Sequence, residues 1–324
     1  GAFHYYPCRN APAHGIPVLP SHSSPRECVS CRPSIMYYFV YAGLYLISLL
    51  PMWALYALSN VLFWVLGRMI GYRKKVILEN LQLSFPEKTP QEIEAIKEAY
   101  YRNLCDSIVE IIKMLSISQA ALDKRMSCNW EVFDQMTQEN RNGQGFMSHQ
   151  FNWEWATLIC NWHVPRRFTG IYLPLNSPVF ERLFLHIRSR AGMKLVKVQE
   201  MQKEMASLQG GELLWGFIAD QNPSDPKRVS WNQFMNRTTA FFKGPEFVAR
   251  RYNNIVYFGE IIKIKRGYYR INMKLAFDNP RDTKDGEITE AYVRFLEDSI
   301  KRQPENWVWS HRRWKHSYPT TSSS

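Results

Sequence analysis

Between Pro33 and Gly67 the chain carries no charged side chain, a run of 35 positions. No other feature limits its folding options as much. About 20 apolar residues suffice for a helix to cross the hydrocarbon core of a bilayer, and core helices of soluble proteins rarely run this far without a charge. Pro51 divides the run into two pieces. Two geometries stay open: one spanning helix with an interfacial helix beside it, or a shallow helical hairpin. Nine aromatics lie in the run, including Tyr37, Tyr38, Tyr41, Trp53 and Trp64. Tyr and Trp near the ends of such a segment suit a membrane interface. The run is too long for the apolar part of a cleavable signal peptide. Arg68, Arg73, Lys74 and Lys75 follow it, whereas only Arg32 lies close upstream. The positive-inside bias then puts the downstream chain in the cytoplasm. Residues 36–70 are read as a membrane anchor.

Upstream of the run the composition changes. Residues 1–35 hold six prolines, three cysteines and three histidines, with no helical or strand period. They are read as an irregular tail, an upstream extension set apart from the fold. Cys28 and Cys31 form a lone C-x-x-C; zinc needs four ligands, so no metal site is assigned. The other three cysteines, Cys105, Cys128 and Cys160, are scattered, as in a reducing compartment. Hydrophobic residues make up 45% of the chain, which excludes wholesale disorder. Lys plus Arg number 41 against 29 Asp plus Glu, a formal charge of +12. Such a balance attracts an anionic partner: nucleic acid, an acidic lipid surface or a phosphorylated substrate. The long uncharged run and the lack of an RNA- or DNA-binding motif argue against nucleic acid.

Downstream, residues 71–324 read as one domain. Thr89-Pro90-Gln91-Glu92 is a helix start, with a capping residue, proline at the first helical position and a capping-box glutamate. Ile93, Ile96, Tyr100, Leu104, Ile108, Ile111 and Leu115 then mark one apolar face. After about residue 128, short apolar runs alternate with helical stretches. Strands are expected to end near 145–148 and to cover 168–173, 213–218, 255–264 and 270–277. Helices are expected over 153–162, 178–191, 240–251 and 287–301. This alternation predicts an α/β domain with a substantial sheet.

The sharpest chemical feature is His149-Gln150-Phe151-Asn152-Trp153-Glu154. On one continuous helix His149 and Glu154 would diverge around the axis. With His149 in a loop after a strand and Glu154 in the first turn of the next helix, they can meet. Asn152 suits the cap of that helix. A carboxylate paired this way fixes the imidazole tautomer, and His149 can then serve as general base toward a hydroxyl. No H-E-x-x-H, G-x-S-x-G elbow or P-loop is present.

Several blocks in order carry a family likeness. Asn80-Leu81 and Phe85-Pro86-Glu87 follow the apolar segment, then His149 to Glu154 in the form H-x4-D/E. Ile171-Tyr172-Leu173-Pro174-Leu175 with Asn176-Ser177-Pro178 comes next, then Arg188 to Gly192 as Arg-x-x-x-Gly. Ala219-Asp220-Gln221-Asn222-Pro223, Phe241-Phe242-Lys243-Gly244-Pro245-Glu246 and a terminal W-x-W-x-H-R-R-W from Trp307 to Trp314 complete the set. Over roughly residues 36–316 the chain resembles the late (secondary) acyltransferases of lipid A biosynthesis, a branch of the lysophospholipid acyltransferase superfamily. Two departures stand out. The N-terminal tail has no counterpart, and Gln150-Phe151 stands where a small residue is common.

The resemblance implies a glycerolphosphate-acyltransferase-like domain over residues 71–324, with a mixed central sheet flanked by helices. It implies transfer of a fatty acyl chain from an acyl carrier protein thioester, or coenzyme A, to a hydroxyl of a lipid A precursor. A lysophospholipid or aminolipid acceptor is the alternative. His149 becomes the base and Glu154 the carboxylate that orients it. Arg188 suits phosphate or a developing anion, and Asp220 binds the acceptor headgroup or orders the site. Arg312 and Arg313 meet lipid phosphates or the acidic carrier. With Asn152 these form the expected substrate-binding set. Gly244 and Pro245 shape backbone. No metal or resident cofactor is called for. Expected partners are acyl carrier protein, a phosphorylated glycolipid and anionic lipids, at the cytoplasmic face of a bacterial inner membrane.

Overall fold

The computed structural model describes residues 34–207, 211, 213–223, 229–316 and 318. The Cys28–Cys31 pair and nearly all of the expected tail lie outside the described residues.

Two apolar helices come first, α1 (Ile35–Ser48) and α2 (Met52–Phe63), and α2 continues as a π-helical segment through Ile70. Pro51 separates them and stands at the N-terminal cap of α2. By length and composition alone, Met52–Ile70 is long and apolar enough to cross a membrane. Yet both helices are laid against the body. They meet α4 (Pro90–Lys113), which follows α3 (Lys74–Ser84). Tyr56 donates to Glu110 at 2.8 Å and Ser59 to Asp106 at 2.7 Å, so α2 lies along α4. Lys113 and Ser116 donate to the Ser48 carbonyl at the end of α1. Farther up α1, Tyr41 meets His186 edge-on at 5.1 Å. The outward faces carry Phe39, Leu46, Trp53, Trp64, Met69 and Ile70, all exposed.

The expected capping box forms at Thr89 and Glu92 and starts α4. The buried face of α4 is rotated from the expected apolar stripe. Ile96, Leu104, Ile108 and Ile111 are only half-buried, while Asn103, Asp106 and Glu110 are buried. Those polar groups are tolerated because each has partners: Asp106 takes Ser59 and Arg266, and Asn103 donates to the Glu305 carbonyl.

The rest alternates. In chain order come α5 (Gln119–Asp123), β1 (Met126–Cys128), α6 (Asp134–Gln138), β2 (Gly143–Met147), α7 (Trp153–His163), β3 (Arg167–Tyr172), α8 (Pro178–Ser189) and β4 (Lys194–Lys197). Then follow α9 (Met201–Ser207), β5 (Leu213–Ile218), β6 (Val229–Phe234), β7 (Arg237–Phe242), α10 (Gly244–Tyr252), β8 (Ile255–Lys265), β9 (Tyr268–Phe277) and α11 (Glu287–Arg302). Among the described residues, seven strands form one mixed sheet in the order β1-β9-β8-β2-β5-β3-β4, with every pairing parallel except β8–β9. Along β8, Ile255 and Tyr257 join one apolar cluster with Trp155 and Leu158 of α7, while Val256 and Phe258 join another with Tyr292 and Leu296 of α11. Helices therefore cover both faces of the sheet.

One expected boundary is corrected. Residues 240–242 belong to the end of a β-hairpin rather than to a helix, and Lys243 only caps the helix that follows. β6 and β7 pair antiparallel around Met235-Asn236, both at positive φ, and α10 starts only at Gly244. The alternation in Thr238 to Phe242 is strand-like, and a tight turn of two left-handed residues carries no glycine to announce it.

Candidate active site

β2 and β5 are neighbours in parallel, with Met147 opposite Ile218. Two residues past each partner stand His149 and Asp220. The register thus brings both to the carboxyl edge of the sheet, where ligands of α/β folds gather. Asp220 is 1% exposed. Its Oδ1 lies 2.6 Å from His149 Nδ1, and its Oδ2 accepts from the His149 backbone N–H at 2.8 Å. The Trp307 indole donates to the same Oδ2 at 2.7 Å. Burial alone would push the Asp220 carboxyl up. The His149 ring, the His149 backbone N–H and the Trp307 indole outweigh that and hold it below the ordinary carboxylate value. Nδ1–H of His149 therefore donates to a carboxylate, which leaves Nε2 as the basic nitrogen. Gln221 Nε2 stands 3.1 Å from it.

The expected His149–Glu154 pairing is corrected here. Glu154 is buried and its carboxylate faces α8. Arg188 grips it with two bonds, Nε to Oε2 at 2.9 Å and Nη2 to Oε1 at 2.5 Å. The Trp153 indole adds a bond to Oε1 at 3.2 Å. Helix α7 starts at Trp153, so Glu154 sits on a turn already pointing away from the loop of His149. Trp153 lies between them, its ring edge-on to His149 at 5.1 Å between centroids.

The other expected residues divide. Asn152 caps α7, its Oδ1 accepting from Trp155 N–H at 3.1 Å. It is fully buried and its Nδ2 donates to Glu110, so it serves the scaffold rather than a substrate. Arg313 is likewise corrected from a surface contact to a core residue, 1% exposed. It donates to Asn222 Oδ1 and to the Ala240 carbonyl and lies 4.4 Å from the Phe241 ring centroid. Burial pushes its guanidinium down to about 10. Arg312 points the opposite way and is exposed. Gly244 and Pro245 open α10, and Gln144 of β2 donates to the Pro245 carbonyl at 2.7 Å.

Three supports escaped the reading of residue types. Gln150 is buried and stitched by its side chain to Ser299 and to Ile261 N–H, which anchors the His149 loop to α11 and β8. Phe151 N–H donates to the Asn306 carbonyl. Glu110 is fully buried beneath the loop and accepts from Tyr56, Tyr269 and Asn152. A lone glutamate in an otherwise ordinary helix offers no local signal of this.

The blocks that follow one another in the chain now have a spatial reason. Trp307 holds Asp220, and Asn80 donates to the carbonyls of Trp309 and His311, fixing the terminal segment across the site. Phe85 packs edge-on against Trp309 at 5.8 Å. A family model described as bacterial lipid A biosynthesis acyltransferase matches residues 28–316. The chain belongs to that family. It is 24% identical over 280 residues to a lipid A biosynthesis lauroyltransferase of Escherichia coli (strain K12), covering 84% of this chain and 89% of the relative. It is 22% identical over 249 residues to the lipid A biosynthesis palmitoleoyltransferase of the same strain, covering 75% and 79%. The same figures apply to a lipid A biosynthesis acyltransferase of Shigella flexneri. As a member of this family of lipid A acyltransferases, the protein is an O-acyltransferase.

Two outcomes follow for this acyltransferase. Asp220→Asn replaces the carboxylate on His149 with an amide and should lower kcat by roughly 10²–10⁴-fold. Glu154→Gln should cost less, because Glu154 reaches His149 only through Trp153. Steady-state kinetics on both variants decide it, and a larger loss in Glu154→Gln would restore the expected dyad. The second outcome concerns Glu110. Burial raises its carboxyl to about 7, since the bonds from Tyr56, Tyr269 and Asn152 only partly offset lost hydration. Between its unfolded value of about 4.3 and the raised one, the native chain binds more protons than the unfolded chain. The stability penalty is therefore absent at the acid end and complete above neutrality. The Tm of Glu110→Gln relative to wild type should rise as pH goes from about 4.3 toward about 7 and stay level above. Thermal unfolding across pH checks this; a constant difference would mean Glu110 does not titrate there.

Proposed function

We propose that the protein moves a fatty acyl chain from an acyl carrier protein thioester to a hydroxyl of a lipid A precursor, with His149 as general base and Asp220 as its orienting carboxylate. The observation that carries this reading is the pair itself. His149 Nδ1 is committed to a buried carboxylate at 2.6 Å, so Nε2 is the basic atom. The acceptor hydroxyl gives its proton to Nε2 as its oxygen attacks the thioester carbonyl. The imidazolium so formed is stabilised by Asp220. The C–S bond then breaks and the thiolate takes the proton back from Nε2. No acyl-enzyme is invoked. Cys105 and Cys160 are buried, and burial pushes their thiols up to about 11 and about 12, the opposite of an activated nucleophile. Arg188 is spent on Glu154, its Nε and Nη2 both bonded to that buried carboxylate, so it braces α7 against α8.

The domain that does this starts after residue 70, and α1–α2 hold it to the cytoplasmic face of the bacterial inner membrane. The outward apolar faces of α1 and α2 and the cations Arg68, Arg73, Lys74 and Lys75 support that reading. Of the two geometries, an element inserted in one leaflet fits better than a span. A spanning α2 would either leave Asp106 and Glu110 without Ser59 and Tyr56 or carry those carboxylates into hydrocarbon.

Purified protein in detergent micelles, given acyl carrier protein thioester and a tetra-acylated lipid A precursor, should add one acyl chain, read by mass spectrometry. His149→Ala should lose roughly 10²–10⁴-fold in kcat; transfer that survives the change removes His149 as base. A lysophospholipid run in parallel tests the acceptor, and transfer to it alone would replace the substrate. For the membrane contact, Leu46→Asp should weaken binding to anionic vesicles about tenfold or more, the value of burying one leucine. Unaltered co-sedimentation would put the membrane face elsewhere.

A further inference from the structure

Across the β8–β9 hairpin, from Ile261 to Phe277, the chain carries five cations, Lys263, Lys265, Arg266, Arg270 and Lys274, and no acidic residue. Strand pairing puts Lys265 opposite Tyr268, so Arg266-Gly267 is a two-residue turn. Gly267 has a φ of +74°, and a Cβ there would collide with the Tyr56 hydroxyl of α2. The turn therefore lies flush on that helix. Two of its cations act as pins. Arg266 bonds Asp106 of α4 through Nε at 3.0 Å and Asn60 of α2 through Nη2 at 2.9 Å. Lys263 donates to Asn103 of α4 at 2.6 Å. Arg125 adds a bond to the Gly267 carbonyl at 3.3 Å.

What the pins leave outside is apolar and basic. Ile264 is 55% exposed, and Lys265 and Arg270 are exposed as well. Lys265 lies over the Tyr268 ring, 4.3 Å from its centroid. The outward stripe of α2 and the segment that continues it carries Trp53, Val61 and Trp64, all exposed. Asn60, which holds Arg266, stands next to Val61 in that stripe. At Asn60 and Phe63 a hollow of about 370 Å³ opens between α2, α4 and the turn, lined also by Arg102 and Lys265. A lone exposed isoleucine is ordinary on a protein surface. Here it stands between cations and beside an exposed apolar helix. That is the arrangement of a segment that meets a bilayer, its apolar side chain at the acyl boundary and its cations at the phosphates.

We propose that the β8–β9 turn is a second membrane contact, which seats on anionic phospholipids at the flank of α2, with Ile264 at the acyl boundary and Lys265 and Arg270 on headgroup phosphates. The proposal rests on the membrane reading of α1 and α2 and adds a separate element to it. Two observations favour a bilayer over the acidic acyl carrier protein. The turn presents an apolar side chain as well as charge, and Arg266 ties it to the outward stripe of α2, so turn and stripe reach one surface. The contact also has a use. β8 runs parallel to β2 and continues past Phe258, the partner of Phe146, so the turn projects from the carboxyl edge of the sheet that holds His149 and Asp220. Seated on lipid, it fixes the tilt of that edge against the bilayer.

The test is co-sedimentation of the full chain with two kinds of vesicle, phosphatidylcholine alone and phosphatidylcholine with phosphatidylglycerol. It compares wild type, Leu46→Asp, Ile264→Asp and the pair Lys265→Gln with Arg270→Gln, after thermal unfolding has shown that the variants are folded. The charge pair should weaken binding to the phosphatidylglycerol vesicles about fivefold per cation. It should leave binding to phosphatidylcholine alone unchanged, and high salt should erase the difference. Ile264→Asp should weaken binding to both vesicles about tenfold. The kcat of these variants in detergent micelles should match wild type. If Leu46→Asp weakens binding while the turn variants sediment like wild type, α1 keeps its membrane role and the proposal falls. An equal loss on both vesicles in the charge pair overturns it too, because the lost contact is then not with anionic lipid. A raised KM for acyl carrier protein thioester in micelles, with vesicle binding unaltered, assigns the turn to the carrier and overturns it as well. Wild type that sediments with neither vesicle removes the membrane reading of α1 and α2, and the turn's contact with it.

Discussion

The parallel pairing of β2 with β5 is the constraint on which the rest of the site depends. Met147 opposite Ile218 puts the chain leaving each strand on one edge of the sheet, and two residues later His149 and Asp220 are within hydrogen-bonding distance. A slip of one residue in that ladder would turn each side chain to the opposite face. Apolar packing guards the register: Leu214, Trp215 and Phe217 of β5 and Phe146 of β2 are buried. The carboxylate nearest in sequence, Glu154, is drawn instead to Arg188 on α8.

Around that pair, buried polar groups act as scaffolding. Trp307 fixes the second oxygen of Asp220, Gln150 ties the His149 loop to α11 and β8, and Arg313 joins Asn222 to the β6–β7 hairpin. Glu110 links α2, α4, β9 and the cap of α7 in one cluster. Each is expensive to bury alone and is held by partners from distant parts of the chain. The terminal W-x-W-x-H-R-R-W segment therefore behaves as a strap: Trp307, Trp309 and Arg313 are buried, while Arg312 is exposed.

The same division runs through the N-terminal helices. Their inner faces carry Tyr56 and Ser59 to meet Glu110 and Asp106, and their outer faces are apolar and uncovered. Arg73 stands where the apolar segment gives way to the body, held to Ser310.

Much was legible in the residues alone. Uncharged length announced the apolar helices, the capping box announced α4, and alternating apolar runs announced β5, β8 and α11, because these signals are local in the chain. His149 stood out for the same reason, with the cap of its helix, Asn152, three residues on. Its carboxylate did not, because hydrogen-bond partners 71 residues apart are set by strand order, which no local pattern encodes. Neither did the opposite fates of Arg312 and Arg313, adjacent and chemically identical: one is exposed and the other enters the core. Sequence determined which segments are apolar, capped or extended; tertiary structure decided which charges meet, because only packing brings distant groups within the few ångströms over which a hydrogen bond acts.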